Sequence, residues 1–261
     1  MNHPVININN NQVSFKQGQT ILEVARDNHI EIPTLCHLSE CTPTGRCRIC
    51  VVEVKGVEKL LPACETPAEE NMEILTHSPA VREARKTILS VLIGSGAHNC
   101  LLMDAPESTW SEYQIHIMSQ PWHDMLCPAY GNCKLQALAI EYDVKFTEGD
   151  ISWEGHPLDD DTPLIVRDFS RCIECGSCVQ ACNEIQVNLA IPEPASGQTN
   201  GTGNGYPLVD YDNCTHCGQC VQVCPTGALF EKKALILSMF SPHTVFRHQG
   251  GHFSVKKGGH F

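Results

Sequence analysis

CIECGSCVQAC at residues 172–182 and CTHCGQCVQVCP at residues 214–225 are two copies of one pattern, Cys-x2-Cys-x2-Cys-x3-Cys. They take eight of the sixteen cysteines in the chain. Thiolates are soft ligands, and a Cys-x2-Cys-x2-Cys loop can wrap three corners of an iron–sulfide cube. The fourth cysteine of each run follows on a short helix that carries it toward the neighbouring cube. The spacing therefore expects Cys172, Cys175, Cys178 and Cys224 around one [4Fe–4S] cluster, and Cys182, Cys214, Cys217 and Cys220 around a second. Cys-x2-Cys pairs also bind zinc, so two zinc knuckles are the alternative.

This double run resembles that of the two-cluster bacterial ferredoxins. It departs from them at Asn183, where simple ferredoxins usually carry proline. The chain around it is long, 261 residues, enough for two or three domains. Its formal charge is −12, which disfavours a nucleic-acid partner. The acidity ends at the tail, where residues 227–261 hold five basic side chains and one acidic. No charged-then-apolar leader opens the sequence, and apolar stretches such as residues 87–93 and 234–240 are far too short for a bilayer. A cytoplasmic protein without direct membrane insertion is expected, its cysteines serving metal rather than disulfides.

The first eighty residues read as strand, strand, helix, cysteine loop, strand, strand. Val5, Ile6 and Ile8 alternate toward a turn at residues 9–11, then Val13 and Phe15 return. Thr20 and Glu23 have capping-box spacing and start a helix over Ile21, Leu22, Val24 and Ala25. Five cysteines follow: Cys36, Cys41, Cys47, Cys50 and Cys64. A [2Fe–2S] cluster needs four of them, and zinc is again the alternative. The phrases IPTLC, GRCRIC and LPAC on this element order resemble the β-grasp first domain of the complex I large iron–sulfur subunit and its hydrogenase relatives. The resemblance implies Cys36, Cys47, Cys50 and Cys64 as the [2Fe–2S] ligands. Cys36-x4-Cys41 begins like a plant-type ferredoxin, but the next cysteine comes too late, so Cys41 is left as a buried or near-cluster free thiol.

Ser78-Pro79 opens a helix that Gly94 or Gly96 closes, with Val81, Ala84, Ile88, Leu89 and Leu92 on its apolar face. A second short helix is expected after Cys133, through Leu135, Leu138 and Ile140. The phrases HNC at 98–100 and GNCKLQ at 131–136 resemble the domain of complex I-like subunits that binds a [4Fe–4S] cluster through one histidine and three cysteines. In particular they resemble the diaphorase iron–sulfur subunit of NAD-reducing [NiFe] hydrogenases. The resemblance implies Cys100, Cys127 and Cys133, with His98 as the local histidine. The family usually places that histidine four residues before the first cysteine, where this chain has Gly96, and spaces the first two cysteines three apart, where it has Met103. An insertion of residues 103–126 intervenes, rich in aromatics, and its His116 and His123 are alternatives to His98.

No dinucleotide-binding glycine pattern, P-loop, nucleophile elbow or His-Glu-x-x-His occurs, so an organic substrate or hydride belongs on another chain. The expected fold is α+β. It comprises a β-grasp [2Fe–2S] ferredoxin domain at 1–78, a small helical His/Cys3 cluster domain at 79–150, a two-[4Fe–4S] bacterial-type ferredoxin domain at 151–240, and a basic His/Gly-rich tail at 241–261. The tail has no periodicity and is expected to lack regular structure. The resemblance as a whole covers residues 1–240 and implies one [2Fe–2S] and three [4Fe–4S] clusters. It implies a hetero-oligomer in which the chain relays electrons between a flavin/NAD(P)H-binding subunit and a separate catalytic oxidoreductase subunit, of a hydrogenase, formate dehydrogenase or related complex. A free-standing soluble multi-cluster ferredoxin is the alternative.

Overall fold

Two asparagines make the first turn. Asn9 and Asn10 both take positive φ, at 52° and 66°, as a two-residue hairpin requires. They join Val5–Ile8 (β1) to Asn11–Ser14 (β2), with Ile6 and Ile8 on the buried face of β1. The computed structural model describes residues 4–96, 98, 129, 132–144, 158–159, 164–193, 209–231, 245–249 and 252–256. The capping box of Thr20 and Glu23 then starts Ile21–Asp27 (α1), with both reciprocal bonds formed. All four apolar residues expected on that helix are buried.

Val51–Val54 (β3) and Leu61–Pro62 (β4) follow the cysteine loop. The sequence reading missed a fifth strand, Glu73–Leu75 (β5). Three residues show no alternation, and the strand pairs in parallel with β1, far back in the chain, so nothing local announces it. It takes the centre of a mixed sheet ordered β2-β1-β5-β3-β4. Ile6, Ile8, Leu22, Val52 and Ile74 form its core, and Cys50 and Cys64 belong to the same cluster.

Ser78 caps Pro79–Gly94 (α2), accepting from the Val81 amide at 3.3 Å. Its buried stripe is Val81, Arg85, Leu89 and Ile93, so the face is centred one position from the apolar reading and includes a cation. The second helix is Lys134–Glu141 (α3), with Cys133 as its N-cap. Leu135 and Ala139 turn inward, whereas Ile140 is exposed. These two helices enclose a second core that also draws in Leu35, Ile49 and Ile173.

Leu158–Asp159 (β6), Ile165–Asp168 (β7) and Leu229–Glu231 (β8) make a small antiparallel sheet that brackets the double cysteine run. Ser177–Gln180 (α4) passes into a π-helical turn at Ala181–Ile185, and Gln219–Val223 is α5. The tail differs from expectation. Val245–Gln249 (β9) and His252–Lys256 (β10) pair antiparallel, with two positions between them that the sequence fills with Gly250-Gly251. Such a glycine pair between strands is a hairpin signal that composition alone conceals. No helix among the described residues is long and apolar enough to cross a membrane.

Candidate metal centres

The two cysteine runs fold alike. Glu174 and His216 both hold φ of 54°, and Gly176 and Gly218 hold φ of 80° and 75° before α4 and α5. Two left-handed positions astride the second cysteine curl the loop, and glycine meets the wider φ without a Cβ penalty. In the first run the Glu174 amide donates to the Cys172 sulfur at 3.4 Å.

Each loop borders one cavity. The first, with about 440 Å3 between atoms including its open mouth, is ringed by Cys172, Cys175, Cys178 and Cys224. The second, about 550 Å3, is ringed by Cys182, Cys214, Cys217 and Cys220. Three cysteines of one run thus meet the last cysteine of the other, in both directions. Burial pushes Cys175, Cys178 and Cys220 up to about 12, and raises Cys172 as well. In the second cavity Cys217 is exposed. Among the described residues no three donors converge on a single-ion point; the sulfurs line walls instead. A set of four soft donors around one cavity fits an iron–sulfide cube.

The N-terminal set is buried at the seam between the first two cores, Cys50 and Cys64 in one and Cys36 and Cys47 in the other. The Cys50 and Cys64 sulfurs lie 3.3 Å apart, and the Cys47 amide donates to the Cys36 sulfur at 3.5 Å. A hydrogen bond from the Cys47 thiol pushes Cys36 down to about 5, and the hydrogen bond shared with Cys64 lowers Cys50 to about 7. Their partners Cys47 and Cys64 are raised correspondingly. The four sulfurs already sense one another and fit a [2Fe–2S] unit. Cys41 is buried elsewhere, its thiol raised first by burial and then by Glu184 and Glu40.

Of the middle set, His98 and Cys133 are described, and Cys100, Cys127 and the 103–126 insertion lie outside the described residues. His98 is 5% exposed, and its Nε2 has no hydrogen-bond partner among the described residues. Burial, then the Arg171 charge, lowers its pKa to about 4, so the ring is neutral and suited to metal ligation. Gly96 leaves no room for a side chain. A Cβ there would lie 2.3 Å from the Ser170 carbonyl oxygen and 3.3 Å from His98 Nε2. Backbone therefore fills the side-chain place at position 96, and the His98 ring stands beside it. Cys133 Sγ lies 3.3 Å from the Pro225 carbonyl, which also accepts from the Leu135 amide at 3.1 Å. A bond from Thr226 Oγ1 to the Arg171 carbonyl, 2.8 Å, ties the strip beside His98 to the strip beside Cys133.

The sequence reading missed the buried arginines Arg85, Arg167 and Arg171. Arg85 donates from Nε to the Ile49 carbonyl at 3.0 Å, from one terminal nitrogen to the Val51 carbonyl at 2.9 Å, and from the other to Tyr142 Oη at 2.8 Å. It clamps the carbonyls on either side of Cys50 to α2 and to Tyr142, just past α3. Arg167 lines both cavities and lies 4.8 Å over the Phe169 ring. Contacts also tie the first loop to the double run. The Thr42 amide donates to Glu184 Oε2 at 2.9 Å, Gln180 Nε2 donates to the Thr42 carbonyl, and Thr44 Oγ1 donates to the Cys175 carbonyl at 3.4 Å.

Comparison with known proteins finds two domain families in the chain. Residues 5–79 match the 2Fe-2S iron–sulfur cluster binding domain, and residues 167–228 match the 4Fe-4S dicluster domain. The chain is 34% identical over 187 residues to the NADP-reducing hydrogenase subunit HndD of Solidesulfovibrio fructosivorans, covering 70% of this chain and 28% of that protein. It is 29% identical over 176 residues to the NADH-ubiquinone oxidoreductase 75 kDa subunit of Reclinomonas americana, covering 66% of this chain and 22% of that one. The chain thus spans less than a third of the length of either relative. Among solved structures, a chain of the NAD+-reducing [NiFe]-hydrogenase in its H2-reduced state superposes with a TM-score of 0.65 at 26% identity, over 88% of this chain and 87% of that one.

Proposed function

Because this chain joins a member of the 2Fe-2S iron–sulfur cluster binding domain family to a member of the 4Fe-4S dicluster domain family, we propose that it is an electron-relay subunit of an NAD(P)H-linked oxidoreductase complex. It passes single electrons between a flavin/NAD(P)H-binding subunit and a catalytic subunit on a separate chain, in a cytoplasmic hetero-oligomer. The observation that carries this reading is the crossed ring of cysteines around each of two cavities. The names of its hydrogenase and NADH-ubiquinone oxidoreductase relatives support the partners.

In this reading Cys36, Cys47, Cys50 and Cys64 hold a [2Fe–2S] cluster within domain 1–78. His98, Cys100, Cys127 and Cys133 hold a [4Fe–4S] cluster within a small helical domain, 79–150. The two crossed sets hold one [4Fe–4S] cluster each within 151–240. Such clusters, when bound, supply one-electron redox chemistry whose potential depends on ligands, hydrogen bonds to sulfur and burial. The chain's own residues supply the rest. Soft thiols at the cavity walls select iron over hard cations. The Cys47 and Glu174 amides orient sulfurs by donating to them. The core of Leu35, Ile49, Leu89, Ile93, Leu135 and Ile173 excludes water between the N-terminal set, α3 and the first cavity. The exposed edge at Cys217 is where an outside redox partner can approach closely.

Iron and acid-labile sulfide counting on the purified chain tests the assignment. About 14 iron atoms are expected from one [2Fe–2S] and three [4Fe–4S] clusters. A colourless chain that contains zinc and no sulfide would overturn it. Mass spectrometry of co-purifying chains tests the complex, and a monomer that always isolates alone would favour the free-standing ferredoxin.

A further inference from the structure

Two cavities that must each accommodate a highly charged group share one wall. Among the described residues only Arg167 and Leu229 line both, and they are cross-strand partners on β7 and β8. Leu229 is apolar, so among the described residues the shared wall carries a single cation, Arg167. We propose that Arg167 is a common counter-charge for both cubane sites, positioned between them so that one guanidinium sets the reduction potential of both at once.

The geometry argues for this in three ways. Arg167 is 5% exposed, where charge–charge interactions are poorly screened by water. The Phe169 face 4.8 Å away holds its guanidinium plane in place. Cys178 and Cys220 pack together in one small cluster with Leu229, so the two rings meet at the wall where the cation sits. Adding an electron to either site increases negative charge, and a fixed cation favours that change in both. Arg167 acts by its charge from the wall that both cavities share.

This inference rests on the proposed [4Fe–4S] occupancy of the two cavities, and the test separates the two claims. Wild-type chain, Arg167→Gln, Arg167→Met and Arg167→Lys are purified with their clusters, and iron and sulfide are counted. Redox titration followed by electron paramagnetic resonance then reads each midpoint, with the [2Fe–2S] signal as an internal reference. A wild-type chain lacking cubane iron in this region defeats the occupancy and leaves the inference without a basis. With occupancy intact, both uncharged variants are expected to lower both cubane midpoints by the equivalent of about tenfold or more in the reduction equilibrium, about 59 mV for one electron. Arg167→Lys should recover most of that shift, and the [2Fe–2S] midpoint should not move. Unmoved cubane midpoints, a shift in one cubane alone, or an equal shift in the lysine variant overturns the proposal. If neither uncharged variant retains cubanes while Arg167→Lys does, charge is required at the wall, which supports it. If Arg167→Lys also fails to load, shape rather than charge is what matters, and the proposal falls.

Discussion

Cys182 and Cys224 end their own runs and line the cavity of the other. Double variants can read that exchange directly. Cys172→Ala and Cys224→Ala combined should remove about four iron atoms, since they strike one cluster, while Cys214→Ala with Cys224→Ala should remove about eight. Equal losses from the two pairs would contradict the crossing. The crossing is expected from the sequence because the double run resembles that of two-cluster ferredoxins, in which the fourth cysteine of each run serves the other cluster. Arg85 is not readable in the sequence. It stands in the helical register of Val81, Leu89 and Ile93, and its reason is three acceptors contributed by residues 34 to 57 positions away. Arg85→Ala would orphan the Ile49 and Val51 carbonyls and the Tyr142 hydroxyl, at about 1–3 kcal/mol for each buried group left unpaired, partly offset by release of a buried charge. A net loss of about 2–4 kcal/mol is expected in chemical denaturation, on the scale of known large single-site effects. A change under about 0.5 kcal/mol would show that the clamp carries no stability.

At the scale of elements, local chemistry and tertiary packing divide the work visibly. The Thr20 capping box and the Ser78-Pro79 start are self-contained, and α1 and α2 begin where those residues require. The buried faces of α2 and α3 are tertiary. Ile140 is as apolar as Leu135, yet Leu135 is enclosed by the second core and Ile140 is 60% exposed. Leu135→Ala should therefore cost about 2–5 kcal/mol and Ile140→Lys no more than about 0.5 kcal/mol, measured by thermal or denaturant unfolding. Comparable losses at the two positions would mean that α3 packs on another face. Strand β5 escapes a sequence reading for the same reason as the face of α3, since its partners lie in β1 and β3. The hairpin β9–β10 is the opposite case. Its glycine pair is plain in the sequence, but the glycine and histidine content around it hides the alternation of the flanking strands.

Across the whole molecule, the cysteines couple folding to pH. Burial raises Cys175, Cys178 and Cys220 from about 9 to about 12 in the metal-free fold. An unfolded chain gives up those protons first, so this stability is fully present below about pH 9 and lost as pH rises toward 12. Cys36 and Cys50 have the reverse sign, since their folded values of about 5 and 7 add stability as pH climbs from there to about 9. The thiol-linked stability of the metal-free chain is therefore expected to peak near about pH 9, read by denaturant titrations from about pH 6 to about pH 11. A steady rise across that whole range would contradict the burial of Cys175, Cys178 and Cys220. Cluster loading requires thiolates and so releases protons, which makes apparent cluster affinity grow with pH for every set. At this scale the division between sequence and structure is clear. The sequence by itself determined the α+β class, the starts of α1 and α2 and the spacing of the two cysteine runs, because donors close together in the chain and local caps need no distant partner. Only the tertiary structure decided that the sets share walls. It placed Cys36 and Cys47 in one core with α2, α3 and Cys175, put His98 where the Ser170 carbonyl leaves no room for a side chain on Gly96, and set Arg167 between two rings of thiols. Those placements come from packing between segments far apart in the chain, where burial, not spacing, chooses the neighbour.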